Sequence, residues 1–308
     1  MLSAATAAGL SAMPPVPQPT PLQQALLRAC HADIEALKPG NVALGAPAHR
    51  MSAEDFLRSA AVVAAPLTDA RRALGERIEA AVQATMAAVA CNTNLGIVLL
   101  LAPLVEAALR AAAAGEAPPA WRHHLATVLA ATSVADGAAV ARAILLAHPA
   151  GLGEAPEADV GDAAAAGAGF HHTLGEAMAL AAGRDLIARQ YASGFATVLA
   201  MAQTWSSLRA AGASREDAVS ATFLRQLAAS PDSHVARKHG AGTAAALSRE
   251  VAELSRALPD PPHWSPAHAR RLALLHDGLL TRRINPGTTA DLTVASVFIT
   301  ELDGMQKF

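Results

Sequence analysis

The sequence has few aromatic, charged and cysteine residues. Of its 308 residues, 3% are aromatic, 16% are charged and two are cysteines. The two isolated thiols, Cys30 and Cys91, exclude a disulfide-rich scaffold and lack the spacing of a metal site. We therefore expect a protein of the reducing cytoplasm.

The sequence has no long run of acidic or of basic residues. The formal net charge is −2, and lysines and arginines are scattered. Such a distribution gives no continuous basic surface for nucleic acid, although it is compatible with a local basic pocket. We expect no nucleic-acid partner.

Membrane-spanning runs and an export signal are also missing. The most apolar run, Leu95–Leu104, is shorter than the ~20 residues that cross a bilayer, and it predicts a buried central helix. Residues 1–20 lack the basic and apolar regions of a signal peptide. Their proline-rich end is typical of a mobile lead-in, and we expect no membrane partner.

Alanine and aliphatic residues are abundant instead. Hydrophobic residues make up 52% of the chain, which is enough to bury a large core. Runs of β-branched residues are scarce, so closely packed helices are favoured over strands. We predict an all-α fold, a compact multi-helix bundle, with a single catalytic domain at 21–308. The Gly-, Pro- and Ala-rich stretch 149–169 predicts a lid or a boundary between two halves.

Capping residues and breakers predict where individual helices begin and end. Thr20–Gln23 has the pattern of a capping box with proline at the first helical position. Pro103 should kink or end the central helix. A long buried helix is predicted from Leu174 towards Leu208, with Asp185 inside it. That carboxylate either pairs with a neighbouring arginine on a solvated face or belongs to a site.

Four polar segments stand out against this apolar background, and each is predicted at a helix end. They are Lys38–Asn41, Asn92–Asn94, Asp232–Gly240 and Asn285–Asp291. Any one of them could be only a solvated turn. If the helices run antiparallel, however, several ends converge on one rim, and we predict the active site there.

The carboxylates and basic side chains of these segments suit a phosphate-bearing substrate bound together with Mg²⁺. Asp232 and Asp291 are the expected Mg²⁺ ligands, because Mg²⁺ prefers one or two carboxylates with water and substrate phosphates. Lys38, Arg237 and Lys238 are the expected phosphate-binding cations.

The polar residues Asn92, Thr93 and Asn94 directly precede the central helix. Free N–H groups and the positive dipole end of a helix favour an anion at this place. A single capping side chain is the simpler interpretation of Thr93 or Asn94, but a cap does not require three polar residues in a row.

Two further function classes stay open on the residues alone. His276-Asp277 matches the core of the HD-type metal phosphohydrolases, for which His234 and Asp291 could supply the remaining ligands. The third interpretation is a non-catalytic helical binding protein.

Five motifs, in the same order, resemble those of one enzyme family. They are Lys38–Val42, His49–Met51, Asn92–Gly96, Asp232–Gly240 and Asn285–Leu292. Together they resemble the triphosphoribosyl-dephospho-CoA synthase family, which is all-helical, over about residues 26–299. The form Asn-Thr-Asn-Leu-Gly at 92–96 looks like the branch found in organisms with methanopterin-type one-carbon cofactors.

The resemblance implies an ATP-dependent transferase with Mg²⁺. A hydroxyl of the acceptor attacks C1′ of the ATP ribose and adenine leaves. The acceptor is either 3′-dephospho-CoA or a ribitol-bearing methanopterin-type precursor, and a homodimer is compatible with the sequence. We expect Asp185, Asp232 and Asp291 to act in catalysis. We expect the remaining polar residues of the motifs to bind substrate: Lys38, Asn41, His49, Arg50, Asn92, Thr93, Asn94, His234, Arg237, Lys238 and Asn285.

Overall fold

The computed structural model describes residues 18–148 and 170–306. Over these ranges the regular secondary structure is helical, and extended pairing is limited to the isolated bridges Ala43–Ala46 and Ala48–Met51. The predicted all-α class is confirmed. Most of the expected lead-in, residues 1–17, and the predicted lid or boundary at 149–169 lie outside the described residues.

Fourteen α-helices are present in the part of the chain that the structure describes, together with a short 3₁₀ helix at Pro118–Ala120. We number them α1 Pro21–Glu35, α2 Ala53–Leu67, α3 Leu74–Val89, α4 Leu95–Ala113, α5 Trp121–Ala130, α6 Val134–Ala147, α7 Leu174–Ala181, α8 Leu186–Ser193, α9 Ala196–Ala210, α10 Arg215–Ala229, α11 Ser233–His239, α12 Ala241–Arg256, α13 Pro266–Thr281 and α14 Gly287–Asp303.

The central helix α4 is longer than its sequence predicts. It continues through Pro103 to Ala113. Proline has no N–H to donate to the carbonyl four residues before it. The oxygen freed in this way belongs to Leu99, and it accepts a hydrogen bond of 2.6 Å from the Tyr191 hydroxyl of α8. A tertiary contact therefore satisfies the carbonyl, and the helix does not end.

At nineteen residues, α4 is long and apolar enough to cross a membrane, and 72% of that stretch is buried inside the fold. Within the described ranges, the neighbouring segments Pro118–Ala130 and Val134–Ala147 pass the same test only as a pair, bent by 91°. The burial of α4 agrees with the predicted core helix.

The C-terminal helix α14 packs beside α4 at the centre of the molecule. It also contacts α1, α9 and α10. Its apolar residues, among them Leu292, Phe298 and Leu302, are fully buried. A smaller core, which includes Phe223 and Leu279, joins α10 to α13. The N-termini of α4, α8, α11 and α14 consequently belong to elements that pack around one region.

The predicted long helix from Leu174 is three helices, α7 to α9. Asp185 lies between α7 and α8, and its side chain caps α8. Gly194 and Phe195 both have left-handed backbone angles, with φ of 64° and 65°, and separate α8 from α9. Glycine takes this conformation readily, and a left-handed residue ends a helix. The prediction of one helix containing Asp185 is therefore wrong.

Candidate active site

Polar residues from all four predicted segments line one cavity of about 510 Å³. That volume lies within the ~300–1,000 Å³ of typical ligand pockets. The residues expected from sequence that lie on its wall are Asn41, His49, Asn92, Thr93, Asn94, Asp185, His234, Arg237, Lys238, Asn285 and Asp291. The helix ends thus meet as the sequence predicts, while the roles of these residues stay predictions.

The cavity has an apolar portion that sequence reasoning did not identify. It is formed mainly by α6 and α7, and Phe170 contributes an aromatic ring. Together with Phe170, the apolar lining residues of these helices are Val140, Ala141, Ile144, Leu174, Ala177, Met178, Leu180 and Ala181. Such a surface suits an uncharged part of a ligand.

Asp232 does not lie on the cavity wall. It is fully buried, and its Oδ1 accepts a hydrogen bond of 2.9 Å from the Val235 N–H. Its Oδ2 accepts hydrogen bonds of 2.7 Å from both the N–H and the hydroxyl of Thr289. The carboxylate therefore caps α11 and ties it to α14. Its oxygens are committed to these donors and do not line the cavity, so this arrangement lends no support to the expected Mg²⁺ and catalytic roles of Asp232, which stay predictions.

Lys38 is not presented to phosphate either. Its side chain is fully buried, and Nζ lies 3.1 Å from Asp33 Oδ1. The ammonium also donates to the carbonyl oxygens of Asp33 and Ala36 at the end of α1. The Lys-Pro-Gly turn folds the lysine back onto the helix that it ends, and the side chain does not line the cavity, so the expected phosphate contact of Lys38 stays a prediction that this arrangement does not support.

Asp33 is a lining residue that the sequence analysis missed. It lies in the last turn of α1, is 3% exposed and reaches the cavity wall. The apolar stripe of α1 runs through Leu26, Cys30 and Ile34. An acidic residue three positions after Cys30 falls on that buried face, and this position was the available signal. Burial raises the pKa of Asp33, and the Lys38 ammonium acts in the opposite direction.

Asp291 faces the start of α4 from the second turn of α14. The sequence places it in a loop, but α14 already begins at Gly287. Burial raises the pKa of Asp291 well above its ordinary value, and the carboxylates of Asp33, Asp232 and Asp185 raise it further. The Arg237 guanidinium lowers it. The carboxylates of Asp33 in α1 and of the Asp185 cap are therefore close enough to disfavour ionisation of Asp291.

Asp185 pairs with a residue distant in sequence. Its Oδ1 accepts hydrogen bonds from the Ile187 and Ala188 N–H groups at 2.8 and 3.0 Å. Its Oδ2 lies 3.2 Å from Arg237 Nη1. The expected neighbours Arg184 and Arg189 are not its partners in the described structure.

His234 lies beside this ion pair on the cavity wall. Its Nδ1 is 3.3 Å from Arg237 Nη2. Burial lowers the pKa of His234 to about 4, and the nearby cations Arg237 and Lys238 lower it as well. The imidazole is neutral at physiological pH and can exchange hydrogen bonds with a ligand.

Asn41 and Asn285 join the first and the last of the polar segments. The Asn41 side-chain N–H donates to Asn285 Oδ1 at 2.9 Å. Asn41 is 4% exposed, and within the described residues its Oδ1 has no hydrogen-bond partner. A buried oxygen without a donor costs free energy, so this oxygen is suited to a ligand that supplies one.

The three polar residues before α4 have separate tasks. Asn92 Oδ1 accepts a hydrogen bond of 3.1 Å from the Leu95 N–H and caps the helix. Asn94 Oδ1 accepts one of 3.0 Å from the Thr85 hydroxyl, and the hydroxyls of Thr93 and Ser59 are 2.6 Å apart. Asn94 is thus the N-cap residue by position, as the sequence indicates, but the capping hydrogen bond comes from the Asn92 side chain, and all three residues also line the cavity.

Arg50 lies outside the cavity. It is exposed, has φ of 66° and borders a shallow depression with Ser52 and Asp55. Its left-handed neighbour His49 borders this depression and also lies on the cavity wall, and His49 Nε2 is 2.9 Å from Gly40 O. The turn directs the two side chains differently, so the expected substrate contact of Arg50 is not found.

His276 and Asp277 are not arranged as the metal site of an HD-type phosphohydrolase. His276 is buried, and its Nδ1 accepts the Gly40 N–H at 3.2 Å. Asp277 is exposed, and neither residue lines the cavity. Among the described residues, no cluster of three or more His, Cys, Asp or Glu side chains could hold a metal ion. His276 instead supports the turn that carries Asn41.

The comparison that decides the family is a match to a sequence-family model over residues 19–308, nearly the whole chain. That family is CitG, described as ATP:dephospho-CoA triphosphoribosyl transferase. The chain belongs to this family. Its members are transferases, as the motifs predict, and the phosphohydrolase and non-catalytic interpretations are not supported.

A crystal structure has a fold similar to that of this chain. It is that of a proposed triphosphoribosyl-dephospho-CoA synthase from Archaeoglobus fulgidus, with a TM-score of 0.61 and 24% sequence identity. The match covers 81% of this chain and 99% of that one. At this identity the likeness concerns the fold. No curated protein sequence matches the chain.

Proposed function

We propose that the protein transfers the triphosphoribosyl group of ATP to a hydroxyl-bearing acceptor and releases adenine. The observation that carries the proposal is the composition of the cavity wall, where the carboxylates Asp33, Asp185 and Asp291 occur together with basic residues and an apolar surface. The family supports ATP as the donor.

The reaction replaces one bond to C1′ of the ribose by another. The acceptor oxygen bonds to C1′ and loses its proton, while the bond from C1′ to adenine breaks and both electrons leave with the base. The departing adenine takes up a proton, so atoms and charge balance. Positive charge develops on the ribose in this step, and fixed carboxylates stabilise it.

The basic groups are placed at one part of the wall. Arg237 and Lys238 lie in the last turn of α11, and Arg184 precedes the Asp185 cap. We propose that they bind the triphosphate through charge-assisted hydrogen bonds. The backbone N–H groups at the start of α4 offer a further place for a phosphate oxygen.

The donor set also fits Mg²⁺. Asp291 and Asp185 line the cavity, and the described residues offer no complete protein cage. Mg²⁺ commonly keeps water and substrate phosphates beside one or two carboxylates. We propose that Asp291 holds it together with the substrate phosphates, where it would neutralise triphosphate charge, because both oxygens of Asp185 are already committed to the N-terminus of α8 and to Arg237.

We propose an acceptor with fewer phosphates than 3′-dephospho-CoA, such as a ribitol-bearing methanopterin-type precursor. In the part of the chain that the structure describes, the lysines and arginines on the cavity wall are Arg184, Arg237 and Lys238. These three cations would already have to balance the negative charge of the ATP triphosphate. Dephospho-CoA would add the charge of a diphosphate, for which the described cavity wall has no further lysine or arginine. The apolar surface of α6 and α7 suits an uncharged acceptor portion.

Adenine release tests this function. The protein is incubated with MgATP and either 3′-dephospho-CoA or the ribitol-bearing precursor, and products are identified by mass spectrometry. We expect free adenine and an equal amount of triphosphoribosylated acceptor, formed faster with the precursor. The variant His276→Gln tests the alternative reaction, phosphate hydrolysis by a His-Asp metal site. Phosphate release that depends on His276, or no adenine with either acceptor, would contradict the proposal.

A further inference from the structure

Asp33 differs from the other carboxylates of the cavity in what its oxygens contact. Asp185 has both oxygens committed, to the N-terminus of α8 and to Arg237. The Asp33 carboxylate has Lys38 as its partner, and Oδ1 receives no directed hydrogen bond from the described residues. Asp33 therefore has hydrogen-bond acceptor capacity that no described residue uses, and the residue borders the cavity.

The buried Lys38 ammonium fixes the position of the Asp33 carboxylate. The Lys38 ammonium, which is fully buried, lies 3.1 Å from Oδ1 and donates to two main-chain carbonyls at the end of α1. A cation at a helix C-terminus is favoured by the helix dipole. The lysine therefore cannot swing towards a substrate without breaking two hydrogen bonds and its ion pair with Asp33.

Asp33 also has its own counter-ion. A buried carboxylate normally avoids ionisation unless it is paired. Lys38 supplies that pair inside the protein, whereas Asp291 lies among the carboxylates of Asp33, Asp185 and Asp232. Asp291 is thus suited to share a bound cation, whereas the negative charge of Asp33 is balanced by Lys38.

We infer that Asp33 is the catalytic base that accepts the proton of the acceptor hydroxyl. This inference rests on the proposed function, because it concerns the attacking group of that reaction. The hydroxyl oxygen forms its bond to C1′ as its proton passes to Asp33, and the electrons of the broken bond leave with adenine. Asp33 returns the proton to solvent after the products leave.

A structural role predicts a different result from a catalytic one. If the Asp33–Lys38 pair only fills the core, uncharged groups of similar size should replace both residues with little effect, as is common for buried ion pairs. If Asp33 is the base, the same neutral pair should fold and bind MgATP but turn over slowly.

The test uses Asp33→Asn and the double variant Asp33→Asn/Lys38→Met, with Asp277→Asn as an exposed carboxylate control outside the cavity. The acceptor is the one of the two tested compounds that gives faster adenine release with the wild-type protein. Adenine release is measured at saturating substrates, and the Kd of MgATP is measured by calorimetry. The double variant keeps the test valid where Asp33→Asn alone leaves Lys38 unpaired and unfolds the protein.

We expect both Asp33 variants that fold to lose about 10²–10⁴-fold in turnover, the usual contribution of a general base. Their Kd for MgATP should stay within about threefold of the wild-type value, since the proposed phosphate contacts are elsewhere. Asp277→Asn should match the wild type. Turnover of the double variant within about tenfold of wild type would overturn the inference, as would an equal loss in MgATP binding. Absence of adenine release by the wild type would instead refute the proposed function, and the inference with it.

Discussion

Individual polar residues of the cavity are held by contacts that leave particular atoms for a ligand. Asn41 is the clearest case. It donates to Asn285, while its own carbonyl oxygen is buried without a donor. The environment of that oxygen is explained if a substrate group supplies the missing hydrogen bond.

Asn41→Leu should therefore weaken substrate binding, while loss of the hydrogen bond to Asn285 should lower the free energy of unfolding by no more than about 1.5 kcal/mol. Leucine has a similar size but offers no acceptor, and a lost hydrogen bond of ~1–1.5 kcal/mol corresponds to about tenfold in affinity. The Kd of MgATP and the KM of the acceptor are measured for this variant. Thr222→Val is the matched control, because the Thr222 hydroxyl is also buried without a partner but lies outside the cavity. An unchanged Kd of MgATP together with an unchanged KM of the acceptor would show that neither substrate forms a hydrogen bond with the Asn41 oxygen.

His234→Gln should change the pH dependence of stability. Burial lowers the pKa of His234 to about 4 in the folded protein. The unfolded chain takes up a proton at His234 near its ordinary pKa of about 6.5 and the folded protein does not, so stability present above that pH is lost as the pH falls towards about 4.

The comparison that isolates this effect is the fall in free energy of unfolding between about pH 7.5 and about pH 5, measured with urea. We expect the wild type to lose up to about 2 kcal/mol more than His234→Gln over this range. Equal losses in the two proteins would contradict the assigned burial of His234.

At the scale of elements, the approach of α14 to the start of α4 positions Asp291. Gly96 makes this approach possible. A Cβ at Gly96 would collide with Asp291 Oδ2, and would lie 2.6 Å from Asp291 Cγ and 2.8 Å from Ile187 Cδ1. The absence of a side chain on α4 therefore gives the carboxylate its place.

Gly96→Ala should displace Asp291 and reduce adenine release by at least about tenfold, since misplaced catalytic groups commonly cost that much or more. Gly242→Ala is the control, because a Cβ at Gly242 of α12 meets open space. That substitution should stabilise the protein by about 0.5–1 kcal/mol through helix propensity and leave turnover unchanged. Adenine release by Gly96→Ala equal to that of the control would show that Asp291 is not required where it lies.

At the scale of the whole molecule, stability comes from the buried helices α4 and α14 rather than from surface contacts. Leu100 in α4 is fully buried, whereas Leu274 in α13 is 71% exposed. Both are leucines within helices, so replacing each by alanine changes helix propensity equally. A difference in stability between the two variants therefore reports the effect of burial.

Leu100→Ala should lower the free energy of unfolding by about 2–5 kcal/mol, because a cavity remains where the side chain was. Leu274→Ala should change it by no more than about 0.5 kcal/mol. Chemical denaturation of both variants measures the difference. Similar values for the two would mean that α4 is not the core helix that the fold indicates.

Much of the architecture follows from local signals in the sequence. The capping boxes at Thr20, Ser52 and Thr173 are present in the structure, because they depend on residues only three positions apart. The composition is enough to predict the all-α class, and the motif order is enough to predict the family. The meeting of the polar segments also follows, since helix ends gather polar residues.

Other properties were decided by tertiary contacts. Pro103 does not end α4, because Tyr191 satisfies the carbonyl that proline leaves free. Lys38 and Asp232 have the chemistry of site residues in sequence, yet one pairs with Asp33 and the other caps α11 and holds α14.

The sequence by itself determined which chemical groups this protein has and which helices carry them. Only the tertiary structure decided which groups reach the cavity. The physical reason is that a charged group removed from water must find a partner, and that partner lies on whichever element packs against it. Asp33 is on the wall and Asp232 behind it for this reason.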